Sequence, residues 1–267
     1  MLYSKTLNQF LLAMALSAAT LWLTACGGGP QQTDTEAEAI ELPNITVSPL
    51  EGSPEFPEAS LSLVSESAGD SAHNFEFAVA GYELGAQTDA PLELANSGKG
   101  QHIHFIVDNG PYSAHYDPAF ATDKLAEPGN HVVLAFLSRS YHESVKNLAD
   151  PASFVLTQIQ TGEGEVEQAD FSAPHLFYSR PKGTYKGADT ENLLLDFFLL
   201  NADLAPDGYK VRATINGEKF LLTQWVPYVV EGLPKGEATF KLELLDAENN
   251  PVPGPFNVVE RTVMLEE

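Results

Sequence analysis

The sequence predicts an all-β protein built from two tandem immunoglobulin-like β-sandwich domains. Short runs in which apolar and polar residues alternate recur along the chain, for example over residues 75–84, 102–109 and 208–215. A period of two is typical of strands that bury one face, and Gly, Asn, Pro and Asp separate the runs as turn residues do. No long stretch with a helical period competes, although residues 117–126 allow a short helix.

An internal repeat indicates that the two domains have similar folds. Two Asn-Gly pairs, and two later glycines that each precede an apolar run, are separated by the same offset along the chain. They are Asn109-Gly110 with Asn216-Gly217, and Gly129 with Gly236. Two copies of roughly 100 residues match the size of immunoglobulin-like domains. We therefore assign residues 59–165 and 174–267 to two sandwiches, with the boundary in the polar segment near 163–174.

The N-terminal segment 1–26 resembles the signal peptide of a bacterial lipoprotein. Lys5 precedes an apolar run over residues 10–23, which ends in the sequence LTAC at residues 23–26. The run is too short to be interpreted first as a membrane-spanning helix. The LTAC ending resembles a lipobox, which implies that Cys26 is lipidated and becomes the new N-terminus after cleavage. An ordinary signal peptide or a short membrane anchor is the alternative.

Lipidation of Cys26 restricts the chemistry of the mature protein, because Cys26 is the only cysteine in the sequence. The mature chain then has no thiol for a disulfide bond or for nucleophilic attack. It also has no thiolate for a Cys-ligated zinc site or a blue-copper site.

The charge and the segment after the cysteine suggest how the protein is held at the membrane. Residues 27–58 are acidic, rich in proline and poor in apolar residues, so we expect a disordered tether. The chain carries a net charge of −23, which repels nucleic-acid phosphates and anionic lipid headgroups. We expect the lipid to be the membrane contact and the cell envelope to be the location. Gly27 after the cysteine favours the outer membrane.

The histidines are concentrated in the first predicted domain. His102 and His104 are two residues apart on a predicted strand, so their imidazoles should lie on one face, with Cβ atoms about 6.6 Å apart. The repeat aligns them with Lys210 and Arg212, which places them on the outer face of the sandwich. The core face then carries Ile103, Phe105 and Val107.

A His-x-His pair on a strand can bind zinc or copper(II) when a neighbouring element supplies a third ligand. We predict His142 as that ligand, with His115, Asp108 and Glu143 as alternatives. The other interpretation is a polar face lined by histidines that binds no metal.

Residues 138–144, with the sequence SRSYHES, place many hydrogen-bonding side chains at the end of an apolar strand. Loops at strand ends often carry the binding sites of a sandwich. We therefore predict that Arg139, Tyr141 and His115 contact a small ligand or an envelope partner. No catalytic residue is predicted, because Ser140 and His142 are poorly placed for a triad and no nucleophile elbow is present.

Four segments together resemble an uncharacterised family of envelope lipoproteins from Bacteroidetes-type bacteria with tandem β-sandwich domains. They are HIHFIVDN at 102–109, SRSYHES at 138–144, YSRPKG at 178–183 and GPFNVVERT at 254–262. The resemblance implies a location and no activity. We expect a non-enzymatic, envelope-tethered protein that binds a ligand or partner. The alternatives are a periplasmic zinc- or copper(II)-binding protein and a purely structural envelope module.

Overall fold

A computed structural model describes residues 44–69, 72–146, 153–164 and 168–267. These residues form sixteen β-strands, with a 3-10 helix at Gly187–Thr190, which confirms the all-β prediction. The strands are β1 Thr46–Pro49, β2 Ser60–Ala68, β3 His73–Ala80, β4 His102–Val107, β5 Ser113–His115, β6 Ala119–Thr122, β7 Gly129–Ser138, β8 Phe154–Thr161, β9 His175–Arg180, β10 Thr184–Lys186, β11 Leu193–Leu200, β12 Lys210–Ile215, β13 Glu218–Leu222, β14 Tyr228–Glu231, β15 Gly236–Leu245 and β16 Val258–Glu266.

The strands form two β-sandwiches of two sheets each. The first sandwich pairs a sheet of order β2-β3-β6 with a sheet of order β5-β4-β7-β8. The second pairs a sheet of order β1-β14-β11-β9 with a sheet of order β10-β16-β15-β12-β13. Each sandwich encloses its own apolar core, and the two cores share no residue. The prediction of two β-sandwich domains is therefore confirmed.

The internal repeat corresponds to equivalent strands in the two sandwiches. The strand order β5-β4-β7-β8 of the first matches β13-β12-β15-β16 of the second. The turns after β4 and β12 also use the same hydrogen bonds. Asp108 Oδ1 accepts from Val132 N at 2.8 Å, and Asn216 Oδ1 accepts from Thr239 N at 2.8 Å. Both Asp108 and Asn216 have positive φ, which short polar side chains tolerate.

The two sandwiches pack face to face, and this contact builds a third apolar core. The outer face of β4 and β7 meets the outer face of β9 and β11. The buried members of this interface are Ile106, Tyr112, Val132, Leu134, Phe136, Phe177, Phe198, Leu200 and Phe256. Strands β4, β9 and β11 are therefore buried on both faces. The outer face of the first sandwich, where the histidines were predicted, is closed to solvent at its centre.

The predicted disordered tether, residues 27–58, extends too far along the chain. Residues 46–49 form β1, which pairs antiparallel with β14 at the edge of a sheet of the second sandwich. Ile45 and Leu50 are buried on either side of this strand. The two buried apolar residues are enough to hold this strand, because without it β14 would be an unpaired edge of the sheet. Proline does not prevent pairing here, since it is tolerated on an edge strand. Residues 27–43 lie outside the described residues.

Two smaller observations complete the fold. Residues 119–122, within the segment that allowed a short helix, form strand β6 instead, because they pair with β3. Among the described residues, no helix has the length and apolarity needed to cross a bilayer.

Asn109 fastens the first sandwich to the edge of β9 in the second. Its Nδ2 donates to Leu176 O and Phe256 O, both at 3.0 Å, and its Oδ1 accepts from Tyr178 N at 2.8 Å. We expect Asn109→Ala to lower the free energy of unfolding by about 3 kcal/mol, because it leaves buried main-chain groups unpaired. Urea denaturation measures this loss.

Asn216→Ala is the matched control for Asn109→Ala. Asn216 occupies the equivalent turn, also has a positive φ, and is exposed. Asn216→Ala removes the same type of side chain, but every hydrogen bond between the two sandwiches stays in place. Equal losses of stability in the two variants would show that Asn109 acts only on its own turn.

Candidate functional site

Strand β4 places two histidines on the face opposite the core of the first sandwich. Ile103, Phe105 and Val107 lie in that core, which confirms the predicted alternation. His102 and His104 lie on the other face and are both 0% exposed. The prediction that this face is outward is right for the single sandwich. The sheet of β9 and β11 covers it, so the histidines are inside the protein.

His142 reaches the same place from a tight turn at the end of β7. Val145 N donates to Leu137 O at 2.8 Å, and His142 N donates to Arg139 O at 2.8 Å. His142 has a φ of 74°, in the left-handed region that non-glycine residues rarely adopt. This backbone conformation is costly, so the surrounding hydrogen bonds must enforce it. It directs the imidazole towards β4.

The three imidazoles converge. His104 Nε2 lies 3.0 Å from His102 Nε2, and His142 Nδ1 lies 3.1 Å from the same His102 nitrogen. One ligand nitrogen from each ring lies within 4.8 Å of the other two. In the described part of the chain this is the one group of three or more His, Cys, Asp or Glu side chains with such spacing.

Each ring on β4 is oriented by a contact on its other nitrogen. His102 Nδ1 lies 2.8 Å from Gly100 O. Because a carbonyl only accepts, Nδ1 carries the proton and Nε2 of the neutral ring is free to bind a metal. His104 Nδ1 lies 3.2 Å from Ser179 Oγ, which β9 of the second sandwich supplies. Contacts of this kind fix the orientation of metal-binding histidines.

Tyr112 closes the site on one side. Its ring stacks on His104 with a centroid distance of 3.5 Å and an interplanar angle of 15°. Its hydroxyl lies 3.2 Å from His142 Nδ1. The phenol therefore restricts the positions of both rings and shields them from water.

The environment keeps the imidazoles uncharged at neutral pH. Burial lowers the pKa of His102 to about 4, with the positive charges of Arg180 and Lys182 acting in the same direction. Burial also holds the pKa of His104 well below its usual value, as do His102 and His142 beside it. The pKa of His142 is lowered in the same way, first by burial and then by Arg180. All three rings thus carry the neutral form that metals bind.

The donor set fits a first-row transition metal. A tetrahedral ion with nitrogen ligands at about 2.0–2.1 Å separates those nitrogens by about 3.3–3.4 Å. Two of the observed separations, 3.0 and 3.1 Å, are a few tenths of an ångström shorter, and the three nitrogens together span up to 4.8 Å, so the His104 and His142 rings must move towards each other to bind one ion. Side-chain rotations can supply that difference. Three imidazoles leave a fourth coordination position for water or another small ligand.

Arg139, Tyr141 and His115, which were predicted to contact a ligand, each contact other side chains of the protein. Arg139 Nη1 pairs with Glu143 at 2.8 Å, with both side chains buried. Tyr141 is buried in a small apolar cluster with Leu50 and Leu194. His115 stacks on Phe120 with a centroid distance of 3.4 Å. Packing and ion pairing thus occupy side chains that the density of polar residues had suggested for a ligand.

The alternatives for a third metal ligand are also engaged elsewhere. Glu143 accepts from Arg139 and from Ser53 Oγ. Asp108 binds His131 Nδ1 at 2.6 Å. His115 faces the core of the first sandwich, beside Phe105. Of the predicted candidates, His142 alone meets the His102–His104 pair. Cys26, the predicted lipidation site, lies outside the described residues.

Comparison with known proteins gives no family. No family model matches the chain, and no curated protein matches it. The fibronectin(III)-like modules of Clostridium thermocellum CbhA are 14% identical over 77% of this chain and 94% of that chain, with a TM-score of 0.27. Bacteroides ovatus SGBP-B of a mixed-linkage glucan utilization locus, solved with a heptasaccharide, is 9% identical over 77% of this chain and 70% of that chain, with a TM-score of 0.21. Similarity at this level concerns the fold alone.

Proposed function

We propose that this chain is a non-enzymatic, envelope-tethered lipoprotein that binds one zinc or copper(II) ion through His102, His104 and His142. The observation that carries the proposal is the convergence of three imidazole nitrogens within 4.8 Å, one each from the buried His102 and His104 and from the partly buried His142. Strand spacing alone predicts His102 and His104, and His142 was the first of four candidates for the third ligand. Imidazole is a ligand that zinc and copper both accept.

The charges around the rings have two opposite effects on metal binding. Neutral imidazoles release no protons when they bind a metal, so binding does not compete with protonation at neutral pH. Arg180 and Lys182 repel any cation at the rings, so the bonds from the three imidazole nitrogens must outweigh that repulsion. The net charge of −23 on the whole chain favours the approach of cations from solution.

The location is part of the same proposal. The LTAC motif supports lipidation at Cys26 and anchoring in the cell envelope, with the outer membrane favoured by Gly27. A transition-metal site without thiolates suits an oxidising compartment, because no ligand can be lost to disulfide formation. Binding of another envelope protein or small ligand, and a purely structural role, are the alternatives that the experiment below separates.

Metal titration of the purified full chain in detergent tests the proposal. After removal of metal with a chelator, we expect one zinc or copper(II) ion to bind per chain and to raise the melting temperature. A His102→Ala/His104→Ala double variant should lose at least about 100-fold in affinity, since removing even an outer contact of a metal ligand costs 10–100-fold. Copper(II) should displace zinc, as the stability order of divalent metals requires.

His73→Gln is the matched control, because it removes a histidine from strand β3 of the first sandwich outside the cluster. It should bind metal as the wild type does. The metal proposal fails if neither ion binds stoichiometrically and neither shifts the melting temperature. It also fails if the double variant binds as tightly as the wild type. A binding screen with envelope glycans and proteins would then separate the ligand-binding role from the structural role.

A further inference from the structure

The loop over residues 109–112 is surrounded by cationic side chains from both sandwiches. Lys124 Nζ donates to Pro111 O at 2.7 Å, and Lys182 Nζ donates to Tyr112 O at 2.7 Å. Arg261 Nη2 donates to the two preceding carbonyls, Asn109 O and Gly110 O, both at 2.9 Å. Four consecutive main-chain carbonyls are therefore each bound by a positive group.

These cations form no ion pair with an acidic side chain in the described part of the chain. Six other cationic side chains there do pair with carboxylates, namely Arg139, Lys146, Lys186, Arg212, Lys235 and Lys241. Lys124, Lys182 and Arg261 form no such pair, and neither does Arg180 nearby. In a chain with 37 acidic and 14 basic residues, such a cluster is conspicuous.

The clustering has an electrostatic cost. Burial lowers the pKa of Lys182 to about 8, and the charges of Arg180, Lys124 and Arg261 contribute to the same shift. Anchoring a loop requires hydrogen-bond donors but no net charge, so Asn or Ser side chains would serve without repulsion. Aromatic rings offset part of this cost, because Lys182 Nζ lies 3.9 Å from the Tyr112 ring centroid and Arg261 Cζ lies 4.2 Å from that of Tyr178. The remaining repulsion favours an anion beside the cluster.

A pocket of about 370 Å³ opens beside the cluster, lined by Pro111, Lys182, Gly183, Arg261 and Thr262. Lys182 Nζ has three N–H donors and uses one on Tyr112 O, which leaves donors for a ligand. Gly183 has a φ of 76°, and a Cβ added there would meet no atom within 4 Å. The space beside these donors is thus open, and its volume suits a small molecule.

We propose that this pocket binds a small anion that carries a carboxylate or phosphate group, held by Lys182 and Arg261. Guanidinium and ammonium groups form their strongest hydrogen bonds with such oxyanions. A bound anion also offsets the repulsion among the clustered cations. The pocket contains none of the three histidines, so it is separate from the proposed metal site.

Calorimetric titration of the full chain in detergent tests the proposal. Inorganic phosphate is the ligand in one arm and glucuronate in the other, and both arms use chloride at the same ionic strength. We expect one site per chain for at least one anion, and the arm that binds identifies phosphate or carboxylate as the preferred group. Binding should weaken as salt rises. Lys182→Met should weaken it at least about tenfold, as loss of a close charge pair does.

Gly183→Asp and Gly183→Asn form a matched pair, because both residues tolerate positive φ and differ mainly in charge. Gly183→Asp should abolish binding by repulsion, whereas Gly183→Asn should bind more tightly than Gly183→Asp. Neither Gly183 variant changes a side chain that binds the carbonyls of residues 109–112. The melting temperature of each variant shows whether it is folded. Lys219→Met, on β13 and outside the pocket, should bind as the wild type does. The proposal is overturned if neither anion binds the wild type, or if Lys182→Met and Gly183→Asp both bind normally.

Discussion

Lowering the pH of the metal-free protein from 6.5 to 5 should remove about 5 kcal/mol of stability through the three buried histidines. An unfolded histidine takes up a proton near pH 6.5, whereas His102, His104 and His142 remain neutral in the fold. Between pH 6.5 and 5, protonation of each of these histidines in the unfolded chain stabilises the unfolded state by about 1.6 kcal/mol. This figure allows for the fact that an unfolded histidine is already half protonated at about pH 6.5. Their depressed pKa values therefore leave full stability only well above pH 6.5 and remove it as the pH falls through and below that value.

Urea denaturation in a chelator at pH 7, 6 and 5 measures this loss. Acidification also relieves repulsion among the acidic residues, so the comparison must be made with variants. His104→Gln should lose about 2 kcal/mol less than the wild type between pH 6.5 and 5, since one buried imidazole is gone. If the two proteins show the same pH dependence, His104 is not held neutral by burial.

His131 supplies a control of opposite sign. Burial tends to lower its pKa, but the hydrogen bonds to Asp108 and to Glu127 O, together with the charge of Asp108, outweigh burial, so the pKa is raised. A raised pKa contributes stability at low pH that is lost as the pH rises through it. His131→Gln should therefore make the protein relatively less stable at pH 5 than at pH 7. The two histidine variants change the pH profile in opposite directions.

Sequence periodicity was sufficient to predict each sandwich separately. Alternation along residues 102–107 placed Ile103, Phe105 and Val107 in the core, because a period of two separates the faces of a strand. The common offset of the two Asn-Gly pairs identified equivalent strands to within one residue. In the structure Asn216 corresponds to Asp108, because these two side chains accept the equivalent main-chain N–H, whereas Asn109 binds β9. The convergence of His142 with His102 and His104 also agreed with the choice made from spacing.

The packing of one sandwich on the other could not be predicted from alternation. Its signal is the loss of alternation in β11, whose sequence LLLDFFLL is buried throughout. A strand without a polar face has both faces covered, but the sequence does not say by what. For the same reason Ser179 and Tyr112 were missed as neighbours of His104. They reach it only when the second sandwich and the loop after β4 are in place.

Asp196→Ala should lower the free energy of unfolding by about 4 kcal/mol, because Asp196 is the charged residue within that apolar strand. It is 0% exposed. Its carboxylate accepts from Lys146 Nζ at 2.5 Å, from Ser144 Oγ at 3.0 Å and from Ser144 N at 3.2 Å. Removing one partner of a buried pair leaves the other charge uncompensated, which typically costs about 3–5 kcal/mol.

The exposed pair Lys186–Glu266 is the control, since Lys186→Ala should cost at most about 1 kcal/mol. The double variant Lys146→Met/Asp196→Leu should recover most of the loss, because no buried charge remains. Chemical denaturation of the four proteins separates the cost of an orphaned charge from the contribution of the pair. Equal stability of Asp196→Ala and the double variant would contradict this account.

Asp196 also connects stability to the proposed metal site. It holds Ser144, which forms a bridge with Ser138 and so closes the turn that carries His142. Without the Asp196 carboxylate, Ser144 no longer supports the unfavourable backbone conformation at His142. We therefore expect the Asp196→Ala variant, while still folded, to bind metal about 10–100-fold more weakly than the wild type. Lys186→Ala should keep its affinity. The three histidines come from one sandwich, but a carboxylate of the other holds the third in position.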